Sequence, residues 1–222
     1  MNKDKYVFAQ LIEFLDNNKF RHLVDKYDGN HYLKHFTCWN QLLAMMFGQL
    51  SNRESLRDLI VAFEAHRAKQ YHLGLGRKPI AKATFASANQ NRGYRIFEDF
   101  AFHMMEQARR KRMTDIFKLK GNVYAFDSTT IPLCLSVLWW AKFHKKKGGV
   151  KAHQISSAII AYCLVDIIQH DLQLKLSTYE VLQILSISLM DKTPLVDLFE
   201  RTDFNNIKNS IVPSFRGYLI SI

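Results

Sequence analysis

Cysteine is scarce. The 222 residues hold three, Cys38, Cys134 and Cys163, far apart and without a C-x-x-C pair. An odd, scattered set excludes a disulfide framework and points to a reducing compartment. The nine histidines form no H-E-x-x-H or Cys/His finger pattern, which excludes the common zinc motifs. His31 and His35 are four apart, a spacing that suits one helix face, but ordinary solvated histidines outweigh a zinc site there. Long apolar runs are missing too. The longest, near Ile159–Ile168, is broken by Asp166 and is too short to span a bilayer. The stretch Met1-Asn2-Lys3-Asp4-Lys5 leads into a mixed polar and apolar helix, not an apolar signal region. The expectation is a cytoplasmic protein with no membrane partner.

Acidic residues are short by comparison with basic ones. Asp and Glu number 20 against 31 Lys and Arg, a net charge of +11 with a pI near 9.6. Such an excess points to a polyanion, with DNA or RNA first and an anionic membrane second. Residues 1–153 carry 26 cations against 13 anions, whereas residues 154–222 carry 5 against 7. The polyanion footprint therefore belongs to the first two thirds. The cations are dispersed over several segments and not gathered on one amphipathic face, which disfavours a membrane surface. Hydrophobic residues at 48% and aromatics at 13% suffice for a real core.

Most of the chain has helical periodicity. Phe8, Leu11, Ile12 and Leu15 share a face, and Asn17-Asn18 is read as the end of that helix. A short helix follows near Phe20–Lys26, then a turn at Asp28-Gly29-Asn30. Thr37 suits the cap of a helix from Cys38 to Leu50. Ser51-Asn52-Arg53-Glu54 has capping-box spacing and is read as the start of a fourth helix, with Leu56, Leu59, Ile60 and Phe63 as its stripe. The two helices make a close pair with Arg53 and Arg57 facing outward. A DNA-binding helix-turn-helix and an ordinary helical hairpin both fit. Gly74-Leu75-Gly76-Arg77-Lys78-Pro79 reads as an exposed loop. Lys82, Thr84, Ser87, Asn89, Asn91 and Arg92 after it read as a polar, basic turn suited to phosphates. A long helix from about Tyr94 ends in Arg109, Arg110, Lys111 and Arg112, where cations suit the helix dipole and also suit phosphates.

The best strand signal is Val123-Tyr124-Ala125-Phe126-Asp127-Ser128-Thr129-Thr130-Ile131. Asp127 stands where the apolar run stops, a position that suits a turn or a metal ligand. Trp139, Trp140, Phe143 and Lys145, Lys146 and Lys147 then place aromatics beside cations, a pattern that stacks on bases and holds phosphates. Gly149-Val150-Lys151-Ala152-His153 reads as the start of a second strand. From Gln154 the pattern turns helical again, with a capping box at Ser177-Thr178-Tyr179-Glu180 and Pro194 opening a last helix. One strand and a stub cannot bury themselves as a sheet. A sheet-forming segment is therefore expected to be missing between His153 and Gln154.

These segments resemble bacterial insertion-sequence transposases of the DDE class, in the branch whose Glu lies in a Tyr-Arg-Glu-Lys signature. Residues 1–75 are similar to a helical N-terminal domain thought to bind the element's terminal inverted repeats. Tyr124-Ala125-Phe126-Asp127-Ser128-Thr129-Thr130 resembles the first catalytic strand, with Asp127 as the first metal-binding carboxylate. Trp140-Ala141-Lys142-Phe143 and Gly149–His153 resemble the lead into the second strand, and residues 155–200 the C-terminal helices. The family's second Asp and its Tyr, Arg, Glu and Lys have no counterpart here.

The resemblance implies a mainly α chain in four parts. Residues 1–75 would be the DNA-binding domain, and 76–120 a linker and long basic helix. Residues 121–153 would begin an RNase H-like α/β catalytic domain, of which only the first strand remains, and 154–222 would be its C-terminal helices. The implied partners are double-stranded DNA at terminal inverted repeats, a second copy, or full-length transposase. The family's reaction uses Mg²⁺, about 4 Å apart in pairs, for strand cleavage and transfer. Asp127 alone cannot hold such a pair, so an inactive transposase relative is expected. A non-catalytic inhibitor of transposition and a non-functional pseudogene product are the alternatives. The residues assigned to DNA are Arg53, Arg57, Lys82, Arg92, Arg109, Arg110, Lys111, Arg112, Lys145, Lys146 and Lys147.

Overall fold

The computed structural model describes residues 4–116 and 148–201, except 32, 34, 54 and 77, with backbone alone over 112–116, 148–151 and 201. The described residues are mainly helical and contain no strand. The order is α1 Val7–Leu11, a 3₁₀ turn Ile12–Phe14, α2 Asn17–Lys26, α3 Cys38–Leu50, α4 Leu56–Ala65 and a 3₁₀ segment Arg67–Leu73. Then come α5 Lys82–Asn91, α6 Arg95–Ile116, α7 Gly148–Asp171, α8 Thr178–Ser188 and α9 Leu195–Arg201. The Asp127 strand lies outside the described residues.

Short polar side chains set the helix starts, because the first backbone N–H groups of a helix lack internal partners. Thr37 Oγ1 accepts from Asn40 N–H at 3.2 Å while Asn40 Oδ1 accepts from Thr37 N–H, a reciprocal box that begins α3. Ser177 and Glu180 do the same for α8. These N–H and O–H donors hold the Glu180 carboxyl below its ordinary range.

Two expected boundaries move. Asn17 and Asn18 do not end a helix; they begin α2, since Asp16 accepts from Lys19 N–H at 2.9 Å. Ser51 does not cap α4; it closes α3. Asn52 takes a left-handed φ of 52°, and Arg53 N–H reaches back to Gly48 O at 2.9 Å, a standard way to satisfy the last carbonyls of a helix. The cap of α4 is Ser55, which accepts from Asp58 N–H. Residues 82–91 are helix and not a turn. Their buried face is only Phe85, Ala88 and Asn89, too sparse a stripe to stand out among the polar residues.

α3 is buried on nearly every side. It is the central helix, not half of an exposed hairpin. Only α4 turns a side outward, with Arg57 and Val61 exposed. α6 and α7 are the longest helices and pack along each other, and α7 also packs against α3. Phe97 lies 5.0 Å from the His153 ring near both N-terminal ends, and Lys111 pairs with Asp171 near both C-terminal ends. The two helices are therefore parallel.

The expected second strand at residues 149–153 is the start of α7. His153, Ser156, Ser157, Ile160, Ala161, Leu164, Val165 and Ile168 form one buried stripe at helical spacing. Its first three members are polar, which hides the helical period in the sequence. Ser157 Oγ donates to His153 O at 2.8 Å, and His153 is buried beneath Phe97. The helix runs through the His153–Gln154 junction without a break. Ala152–Asp171 is long and apolar enough to cross a membrane, but 67% of its most apolar window is buried inside the fold, as in a core helix.

One contiguous core runs from Val7 to Phe199. The first and last helices are tied directly. Val7 N–H donates to Asp191 O at 2.8 Å and Phe8 N–H to Leu189 O at 3.1 Å. Gln10 Nε2 donates to Thr193 O, and Gln10 Oε1 accepts from Leu195 N–H, filling one of the open donors of α9.

A polar knot crosses this core. Arg92, at the end of α5, donates to Thr37 O at 2.9 Å, to Gln41 Oε1 at 2.8 Å and to Phe36 O. Gln41 Nε2 donates to Asn89 Oδ1 at 2.6 Å, and both side chains are buried. The guanidinium also lies over the Phe36 ring, 5.2 Å from its centroid. Burial pulls the pKa of Arg92 down and pushes the neighbouring Cys38 thiol up, with Arg92 opposing the latter shift.

Two outcomes follow for stability. Leu164→Ala empties a fully buried site on α7 and should cost about 2–5 kcal/mol. In a background with Trp139 and Trp140 replaced by Phe, urea unfolding followed by Trp39 fluorescence should shift by the full amount, because α3 shares that core. An unmoved Trp39 transition would mean that residues 1–76 fold separately. Arg92→Met removes the guanidinium from Phe36 O and Gln41 Oε1, while Thr37 O keeps Gln41 N–H at 3.0 Å, and should cost about 2–4 kcal/mol. Arg92→Lys should recover only part of this, since one ammonium cannot span the same oxygens.

Candidate nucleic-acid interface

The turn after α2, the chain entering α3, the Leu75–Ile80 connection and the outer side of α5 enclose a groove of about 1170 Å³. Each wall has a local cause. Asp28 takes a left-handed φ of 49°, and Gly29 N–H returns to Val24 O at 2.8 Å, which turns the chain sharply out of α2. A Cβ at Gly29 would stand 2.3 Å from Ile96 Cδ1 and 2.9 Å from Cys38 Sγ, so a larger residue in this turn would force those side-chain ends to shift. Gly74, at φ 75°, makes the second turn. The Arg92 knot holds the floor by binding the Phe36 and Thr37 carbonyls.

The groove is lined by donors. Lys78 Nζ stands 2.7 Å from His35 Nε2, and His31 Nδ1 stands 3.0 Å from Asp28 Oδ2. Thr84, Ser87 and Asn91 face the groove from α5, and Asn91 Nδ2 donates to Ser87 Oγ at 3.0 Å. A phosphate entering here meets a lysine, an imidazole, two hydroxyls and an amide, the mix that contacts nucleic-acid backbones.

The residues assigned to DNA from sequence are not gathered at this groove. Arg57, Lys82 and Arg109 are exposed. Arg53 is drawn to Asp58 at 3.3 Å and to Ser51 Oγ, and Arg110 pairs with Glu106 one turn back. Lys111 binds Asp171; burial alone would raise that carboxyl, but Lys111 and His170 outweigh it and hold it below its ordinary 3.8. Arg92 borders the groove with its guanidinium turned inward to the knot. The Arg112 side chain and Lys145–Lys147 lie outside the described residues, as does Asp127. Lys78 and His35 were missed as a pair. The sequence marks Lys78 only as one cation in a Gly/Pro loop, and 43 positions separate it from His35.

His31 and His35 do not share a helix face; they lie in the chain between α2 and α3. Among the described residues no three His, Cys, Asp or Glu side chains come together as a metal would need.

No curated protein and no solved structure matches this chain. Residues 3–76 match the model of a domain of unknown function, DUF4372, a domain found at the N-terminus of transposase-like proteins.

Proposed function

We propose that this protein binds double-stranded DNA as a relative of insertion-sequence transposases and does not itself cut it. The match of residues 3–76 to a domain found at the N-terminus of transposase-like proteins carries the reading. The basic excess of residues 1–153 supports it, as does the donor-lined groove that the matched segment helps to form. Terminal inverted repeats are the proposed target. Lys78, Lys82, Arg57 and Arg109 are the proposed phosphate contacts, since all are exposed.

Mg²⁺-dependent strand transfer does not fit the residues present. Between Asp115 and Asp166 the sequence has no carboxylate but Asp127, and a metal pair needs several converging on it. No catalytic step is therefore assigned. The unbroken α7 and the shared core favour a stably folded, non-catalytic binder over a pseudogene relic. Such a binder would occupy element ends in the cytoplasm as a homo-oligomer or paired with full-length transposase, and so inhibit transposition.

A mobility-shift series tests this, using random duplex and duplexes cut from the DNA on either side of the reading frame, where terminal inverted repeats are expected. Wild-type protein should prefer the repeat duplex, and its affinity should fall steeply with salt as counterions are released. Lys78→Ala, Lys82→Ala and Arg57→Ala should each flatten the log–log salt slope by about 1. Equal affinity for repeat and random duplex would remove the specific target. Supercoiled plasmid should stay intact with Mg²⁺ or Mn²⁺; cleavage that disappears in Asp127→Ala would overturn the non-catalytic reading.

A further inference from the structure

Away from the groove, the first, middle and last parts of the chain meet in a second cluster. Tyr6 stands just before α1. The Lys69 ammonium lies 5.5 Å from the Tyr6 ring centroid, and that of Lys192 lies 5.4 Å from it. Each ammonium is within cation–π reach, so one Tyr6 ring orients two flexible lysines. The His72 ring is 6.1 Å from Tyr6, and the Tyr71 ring is 5.6 Å from His72 in edge contact at 72°. Tyr71 is 54% exposed, and His72 and Lys192 are exposed as well. The arrangement is held by the fold. Val7 N–H donates to Asp191 O, which fixes Lys192 beside Tyr6, and Leu75 N–H donates to Gln70 O, which closes the 3₁₀ segment bearing Tyr71 and His72. The nearby Glu13 carboxylate is taken by Lys5.

We propose that Tyr71 and His72, with Lys69 and Lys192, form a binding site for unpaired nucleotides of single-stranded nucleic acid. A base has a π face that stacks on an exposed tyrosine without regard to sequence, and its flanking phosphates need cations within one nucleotide's reach. The cluster supplies both. Duplex DNA presents no free base face, so this site is separate in chemistry from the groove. An anionic membrane is the poorer occupant. It would call for the broad apolar face of an amphipathic helix to insert, whereas the cluster consists of two phenols, an imidazole and two ammoniums. The proposal does not depend on the duplex-binding reading.

The test is fluorescence anisotropy with labelled (dT)₁₀ and (rU)₁₀, a blunt duplex of the same length, and pelleting with vesicles of anionic lipid. Wild-type protein should bind an oligonucleotide, and the two sugars tell DNA from RNA as the source; binding of either supports the site. Tyr71→Ala should weaken that binding about five- to a hundredfold, and Tyr71→Phe should restore it. Lys69→Gln and Lys192→Gln should each flatten the salt slope by about 0.7, the value for a single strand. Duplex affinity should be unchanged in Tyr71→Ala, whose thermal melt should match wild type because the side chain is exposed. Oligonucleotide binding that ignores Tyr71, or vesicle binding that requires it, overturns the proposal. Loss of duplex binding with Tyr71-dependent oligonucleotide binding intact overturns only the groove reading.

Discussion

A guanidinium held by neutral oxygens governs the shape of the N-terminal half. Arg92 binds the carbonyls of Phe36 and Thr37 and the amide of Gln41, and Gln41 passes the bond on to Asn89. Four points of the chain are fixed at once: the entry to α3, its first turn, the last turn of α5 and the link into α6. A half-buried charge is costly unless its donors find acceptors. In a low-dielectric setting each satisfied bond is also stronger than at the surface. The knot therefore admits little adjustment. A shift of α5 relative to α3 would take the cation from its three acceptors and leave Phe36 O and Gln41 Oε1 without it. The groove takes its form from this constraint, since Phe36 and Ala88 line it and are anchored from behind.

The same logic joins the described helices around one core. The segment resembling a known domain ends at residue 76, yet its apolar faces are completed by later helices. α3 packs against α7, Phe20 of α2 meets Phe100 of α6 edge-on at 5.0 Å, and Gln10 reaches residues 193 and 195. A helix buried all round needs neighbours on every side, and α3 finds several of them beyond residue 76. The parallel course of α6 and α7 adds a topological demand. Parallel neighbours cannot be joined by a tight turn, and residues 117–147 intervene between them in sequence.

Local chemistry was the readable part of this fold. Thr37 and Ser177 announce their helices because a hydroxyl with an amide or carboxylate three residues on satisfies two backbone donors reciprocally. The stripes of α4 and α6 stand out because their buried positions are apolar. The reading fails where burial is polar. His153 occupies a core position at the start of α7 while reading as surface, and so the stretch that ends at it was expected to be a strand. Asn89 is buried in the knot, and so α5 read as a turn. Ser51 had the spacing of a cap, but Asn52 accepts the left-handed conformation and closes the previous helix instead. The pairing of Lys78 with His35 and of Tyr6 with Lys192 is set by tertiary packing, which no local pattern carries.

Net charge, finally, overstates the surface available to a polyanion. Lys5, Lys26, Arg53, Arg110 and Lys111 each have a carboxylate partner, at Glu13, Asp99, Asp58, Glu106 and Asp171. Arg92 points inward. Paired cations still contribute to the long-range field that steers a polyanion, but an exposed pair must be broken or shared before its cation can bind a phosphate. Contact strength thus falls to the smaller set that the fold leaves facing water. Two of its members, Lys78 at His35 and Lys192 at Tyr6, are held by neighbours that carry no negative charge. Such neighbours orient an ammonium without neutralising it. A lysine positioned this way loses less freedom on meeting a phosphate than one waving in solvent, and it pays no ion pair to do so.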